Sequence, residues 1–228
     1  MPTGANNLPG SGGFEGMALN ASGSKLYTLL ERPLTGDADQ KRLLVQEFDL
    51  AAEAFTGGVF GYKLDARGTN IGDMTAINDH EFLVIERNGV TGTSTSGTPF
   101  KKIFKIDLSV LDTGGFAKKT EVVDLMNIAD PLDLNGDGST TFTFPFVTIE
   151  DVLILDAHTL LVVNDNNFPG GGGRAGADLR QHRVPEDQPG QPGARARHLR
   201  LAAGGLGSDG GGGAPSRQAL SAEGRPAW

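Results

Sequence analysis

Ile71–Arg87 reads IGDMTAINDHEFLVIER, and the fold follows from how it is laid out. An acidic residue opens a short apolar stretch, Asn78-Asp79-His80 makes a turn, and Glu81–Arg87 returns as a run of β-branched, aromatic and apolar side chains. The same plan recurs in Gly13–Arg32 (GFEGMALNASGSKLYTLLER) and in Thr148–Asn166 (TIEDVLILDAHTLLVVNDN). Two further strand-like runs separate consecutive copies. Arg42–Leu50 and Val59–Leu64 follow the first copy, and Lys102–Leu108 and Glu121–Leu125 follow the second. Helical periodicity is absent over any comparable length. A unit of about four strands, repeated in tandem, is the signature of propeller blades, because each small sheet must bury its faces against its neighbours.

The expected fold is therefore all-β: a β-propeller fragment of about two and a half four-stranded blades, followed by a disordered tail. An open meander or a sandwich with accidental similarity is the alternative reading. Propellers close with about four to eight blades, so this chain is expected to be a piece of something larger or to recruit partners that supply the missing blades.

Composition sharpens the boundary. Residues 13–169 are expected to form the propeller fragment, and residues 170–228, rich in Gly, Pro and Arg, the tail. All eight lysines precede Gly170, whereas the tail from Arg174 holds eight arginines. Shifting the codons of Leu179–Pro192 by one nucleotide permits the strand-like peptide SANTEFLKINLANP, so a reading-frame slip is a second account of the tail. Residues 1–169 carry 23 Asp and Glu against 12 Lys and Arg. This acidic balance argues against nucleic acid as a partner and favours cations. The chain has no cysteine, which removes disulfides and thiolate metal sites. It has no apolar run long enough to span a membrane. Met1–Gly13 lacks the basic-then-apolar pattern of a signal peptide, so the address of an exported parent is expected upstream.

Several motifs in order carry a family resemblance: GFEGMAL (Gly13–Leu19), IGDMTAIN (Ile71–Asn78), EFLVIER (Glu81–Arg87), FKKIFKIDLS (Phe100–Ser109), FTFPFVTIEDV (Phe142–Val152) and NDNNFP (Asn164–Pro169). Together they resemble the phytase-like family, also called esterase-like activity of phytase. The resemblance implies an exported propeller, extracellular or periplasmic, acting on a small-molecule phosphoester or phosphodiester. A non-catalytic binding or scaffold module is the alternative.

Candidate site residues come from positions that repeat. Glu15, Asp73 and Glu150 each precede an inner-type strand, and circular symmetry would bring them together. Converging carboxylates need a hard cation or protons, and calcium suits an irregular oxygen-rich site. They are candidate catalytic groups and calcium ligands, with Asp151, Asp165, Asn164, Asn166 and Asn167 adding oxygen donors. Their alternative role is to cap turns or to pair with Arg32 and Arg87. Glu31-Arg32 and Glu86-Arg87 end comparable strands, and the two arginines could clamp phosphate oxygens or form inter-blade salt bridges. Asp133, Asn135 and Asp137 match the first half of a calcium loop, with Phe144 where a bidentate Glu belongs, so an Asx-rich turn competes with a looser calcium site. The four histidines show no ligand spacing, and no GxSxG nucleophile motif occurs.

Overall fold

In the computed structural model, residues 7–165 are described together with two short strands, 199–202 and 219–220. The chain is all-β. Strands β1 (Phe14–Leu19), β2 (Lys25–Leu30), β3 (Arg42–Asp49) and β4 (Ala54–Lys63) form a first antiparallel sheet in sequence order. Strands β5 (Asn70–Ala76), β6 (Glu81–Arg87), β7 (Lys101–Leu111) and β8 (Ala117–Asp124) repeat that order in a second. The third contains β9 (Ile128–Ala129), β10 (Thr141–Phe142), β11 (Ile149–Asp156), β12 (Thr159–Asn164), β13 (Leu199–Ala202) and β14 (Ala219–Leu220), ordered β10-β9-β14-β13-β12-β11.

Asparagine side chains close the first two hairpins. Asn20 Oδ1 accepts from the backbone N–H groups of Ser24 and Lys25, and Asn78 Oδ1 from those of His80 and Glu81. This is local turn chemistry that asparagine supplies without tertiary help. The sheets then stack through their faces. Tyr27, Leu29, Val45 and Tyr62 of the first meet Met74, Phe82, Val84 and Ile106 of the second in one core. Leu83, Ile85 and Ile103, on the opposite face of the second sheet, meet Val152, Leu160 and Val162 of the third in another. Strand β6 is covered on both sides, which is why Phe82–Ile85 within it is an unbroken apolar run instead of an alternating one. The first strands of the three hairpins, β1, β5 and β11, are neighbours in that order.

Two short strands, β13 and β14, fall in the segment expected to be a tail. β13 pairs antiparallel with β12, and β14 joins β13 to β9. The third unit is thus a six-stranded sheet instead of half a blade. LRLA, four residues amid glycine and arginine, is too short a signal to separate from loop, and the open edge of β12 is what makes it a strand. Leu179–Pro192, on which the frame-slip reading rests, lies outside the described residues, as do Asn166 and Asn167.

The stacking depends on close backbone approach at Gly72. A Cβ there would lie 2.1 Å from the Ile149 carbonyl oxygen, so β5 and β11 meet only because residue 72 has no side chain. Gly72→Ala should cost about 3 kcal/mol, since overpacking against backbone forces the strands apart. Urea unfolding of the two proteins measures it, and an unchanged midpoint would show that β11 is free to move.

Candidate functional site

Strands β1, β5 and β11 each carry a bulge near their start. The register skips Glu15 between Phe14 and Gly16, Gly72 between Ile71 and Asp73, and Glu150 between Ile149 and Asp151. A bulge re-aims its residue relative to the alternation around it. Counted from the bulges, the equivalent positions are Glu15, Gly72 and Glu150, followed by Gly16, Asp73 and Asp151. Asp73 is therefore one residue out of register with Glu15 and Glu150, which corrects the expectation that all three occupy one blade position. The hairpin loop after β1 is longer than the one after β5, and aligning the two loops by their asparagines hides the offset.

The partner strands show the same shift. Glu31 N–H donates to the Gly13 carbonyl, Arg87 pairs with Asn70, and Asp165 N–H donates to the Thr148 carbonyl. Glu31, Arg87 and Asp165 are thus equivalent, so Glu31-Arg32 and Glu86-Arg87 are not copies of one pair.

What gathers at this end of the inner hairpins is a charged cluster. Arg87, 8 % exposed, donates from Nη2 to Glu150 Oε1 at 3.0 Å. Glu31, 4 % exposed, accepts on Oε1 from Asn70 Nδ2 at 3.1 Å and lies 3.6 Å from Arg32 Nε. Glu31 Oε2 and Arg87 Nε are buried without a hydrogen-bond partner. Burial, and then the neighbouring Glu31 charge, raises the pKa of Glu15 above the ordinary carboxylate value, against the opposing pull of Arg87 and Arg32. Burial likewise raises that of Glu150, against Arg87 and with Asp165, Glu15 and Glu31. Four carboxylates and two guanidinium groups therefore share one field.

Asp73 stands apart. Its Oδ2 accepts from Val152 N–H at 2.9 Å, and burial outweighs this bond to raise its pKa. It lines a cleft of about 390 Å³ with Met17, Thr75, Asp151 and Leu153. Among the described residues no group of three or more His, Cys, Asp or Glu side chains is placed to hold a metal. In the Asp133–Gly138 loop, Asp133 accepts from the N–H groups of Asp137 and Gly138, and Asp137 from that of Ser139. Asn135 Nδ2 donates to Asp137 Oδ2. The loop is an Asx-rich turn, with Asp133 at φ 49°.

Sequence reasoning missed Lys101, which lies across from Arg87 in the ladder, is fully buried and donates to the Val90 carbonyl at 2.8 Å. It sits in FKKIF beside a second lysine, and nothing local separates the fully buried one from its partly buried neighbour. Burial, with Arg87 second, pushes its pKa down from 10.5 to about 8. Between those values the unfolded chain holds a proton that the folded chain releases, so this group makes stability rise with pH over that window. Lys101→Met should flatten that rise. Urea unfolding at about pH 8 and about pH 10 tests it, and parallel profiles for the two proteins would count against it.

The family model described as Phytase-like: Esterase-like activity of phytase matches residues 1–168. No curated protein and no solved structure matches the chain. Among the described residues no helix is long and apolar enough to cross a membrane.

Proposed function

Because this chain belongs to the phytase-like family, described by its esterase-like activity, we propose that it contributes the active site of a phosphoester or phosphodiester hydrolase. On this reading the three sheets are blades of a propeller, and the substrate is an organic phosphate in the periplasm or outside the cell. The observation that carries it is the cluster of Arg87, Glu150, Glu15, Glu31, Arg32 and Asp165 at one end of the inner hairpins.

Arg87 supplies the phosphate grip. A guanidinium matches phosphate oxygens through paired N–H donors, and burial strengthens each bond by excluding water. Glu150 fixes its orientation at 3.0 Å. Arg32, half exposed at the rim, is a second cation for the incoming anion. Glu15 is the general base: it is exposed, and its raised pKa brings it nearer neutrality, where a base works best. Asp73 takes a positioning role, tying β5 to β11 through Val152.

Calcium is proposed as the cofactor on residue type alone, from the surplus of carboxylates over guanidinium groups, because among the described residues no three carboxylates are gathered to hold it. A second calcium at Asp133, Asn135 and Asp137 is supported by residue type alone. Asp137→Ala should lower calcium affinity, and unchanged binding and thermal stability would remove that site.

Turnover of bis(p-nitrophenyl) phosphate, measured with and without calcium, tests the function. Saturable binding of the ester without turnover would instead support a non-catalytic binding module.

A further inference from the structure

The three sheets are not covered equally. Met17, Met74 and Val152 occupy one blade position, since each stands two residues past its bulge and faces the preceding sheet. Met74 is 1 % exposed and Val152 3 %, whereas Met17 is 63 % exposed, because no sheet precedes it among the described residues. The position after it, Ala18 and Leu153, faces the following sheet. Ala18 is 5 % exposed, and Leu153, which has no following sheet among the described residues, is 52 %.

Both open faces are apolar. On the first sheet one row runs across all four strands through Leu19, Leu26, Phe48 and Phe55, and Val59 ends a second row that begins at Met17. Leu19, Phe55 and Val59 are each about half exposed. On the third sheet Leu153 pairs with Leu161, and Leu155 is also exposed. Apolar area of this kind marks an interface.

From this we infer that a second copy of the chain covers both faces, the first sheet of each copy packing on the third sheet of the other. The contact would repeat two that the chain already makes. Gly16 faces Met74 so closely that a Cβ on it would lie 2.9 Å from the Met74 Cβ, and at the next interface the equivalent Asp73 bonds to the equivalent Val152. The third member of that series is Asp151, and its partner is Met17 of the other copy. One chain supplies three sheets, so two contacts of this kind close a ring of six, within the range of about four to eight that propellers use. A head-to-tail contact that closes is a finite dimer, not a fibre. This inference rests on packing and is independent of the hydrolase reading.

Sedimentation of the 228-residue chain at micromolar concentration should give twice the monomer mass. Met17→Lys and Leu153→Lys, each checked by circular dichroism for retained strand content, should each sediment as monomers. Because the chain has no cysteine, a cross-link provides a second readout that does not depend on a disruptive charge. Met17→Cys and Asp151→Cys, mixed as two single variants and oxidised, should give a covalent dimer joining one of each, since residues 16 and 74, at the equivalent positions, face each other directly. A wild-type monomer would overturn the inference and leave the faces to further sequence of a longer chain. A ladder of open oligomers, or a mixture that yields no mixed cross-link, would overturn it as well.

Discussion

Glu86→Ala should lower the unfolding free energy by about 3–5 kcal/mol, the loss expected when one partner of a buried ion pair is removed. Glu86 is fully buried and serves three groups at once. It accepts from the Tyr62 hydroxyl at 2.5 Å, from Asp65 N–H at 2.7 Å and from the Lys119 ammonium. Tyr62 belongs to the first sheet and Lys119 to the second, so this carboxylate joins two sheets. Lys119 also lies over the rings of Phe104 and Tyr62 and donates to the Lys63 carbonyl, so without Glu86 its charge would keep a neutral acceptor but no carboxylate in hydrogen-bond contact. Burial already depresses its pKa, with Glu86 opposing that shift. The double replacement Glu86→Leu with Lys119→Met should recover much of the loss, because removing both charges leaves neither one stranded. Urea unfolding of the single and double variants measures the coupling. Additive losses would show that the pair does not hold the sheets together.

Arg87→Met should reduce kcat/KM for a phosphodiester by about 10²–10³-fold, the cost of losing a preorganised charge-stabilising donor. Arg87→Lys should not restore it, because an ammonium cannot reproduce the paired geometry. A second signature separates loss of the grip from general damage. Arg87 opposes the upward shift of the Glu150 and Glu15 pKa values, so in Arg87→Met both carboxyls protonate at higher pH. The acid limb of the pH–rate profile should move upward with them. Unchanged kcat/KM with intact circular dichroism would take Arg87 out of the site.

The hairpins were legible because their signals are local. Asn20 and Asn78 make their turns with backbone two to five residues away, and β6 shows its double burial as the uninterrupted apolar run Phe82–Ile85. The charged end was legible in part, since Glu15, Arg32, Arg87 and Glu150 could be named from repeated positions and Asp165 as an oxygen donor near them. Glu31 and Lys101 could not be picked out as buried, because burial there comes from loops and strands distant in sequence. The offset of Asp73 was hidden because all three strands carry the same bulge, and the one-residue difference lies in the hairpin loops, where the matching asparagines suggest a different alignment.

Strand identity, hairpin pairing and the tandem repeat of strands in the first two units are thus properties of the sequence alone, because turn chemistry and side-chain alternation act over a few residues. Which carboxylates share a field with Arg87, which glycine lets β5 meet β11, and that LRLA extends the third sheet were decided only in three dimensions. Those outcomes depend on backbone approach and register between segments far apart in the chain, and one inserted residue in a strand is enough to change which side chain reaches the site.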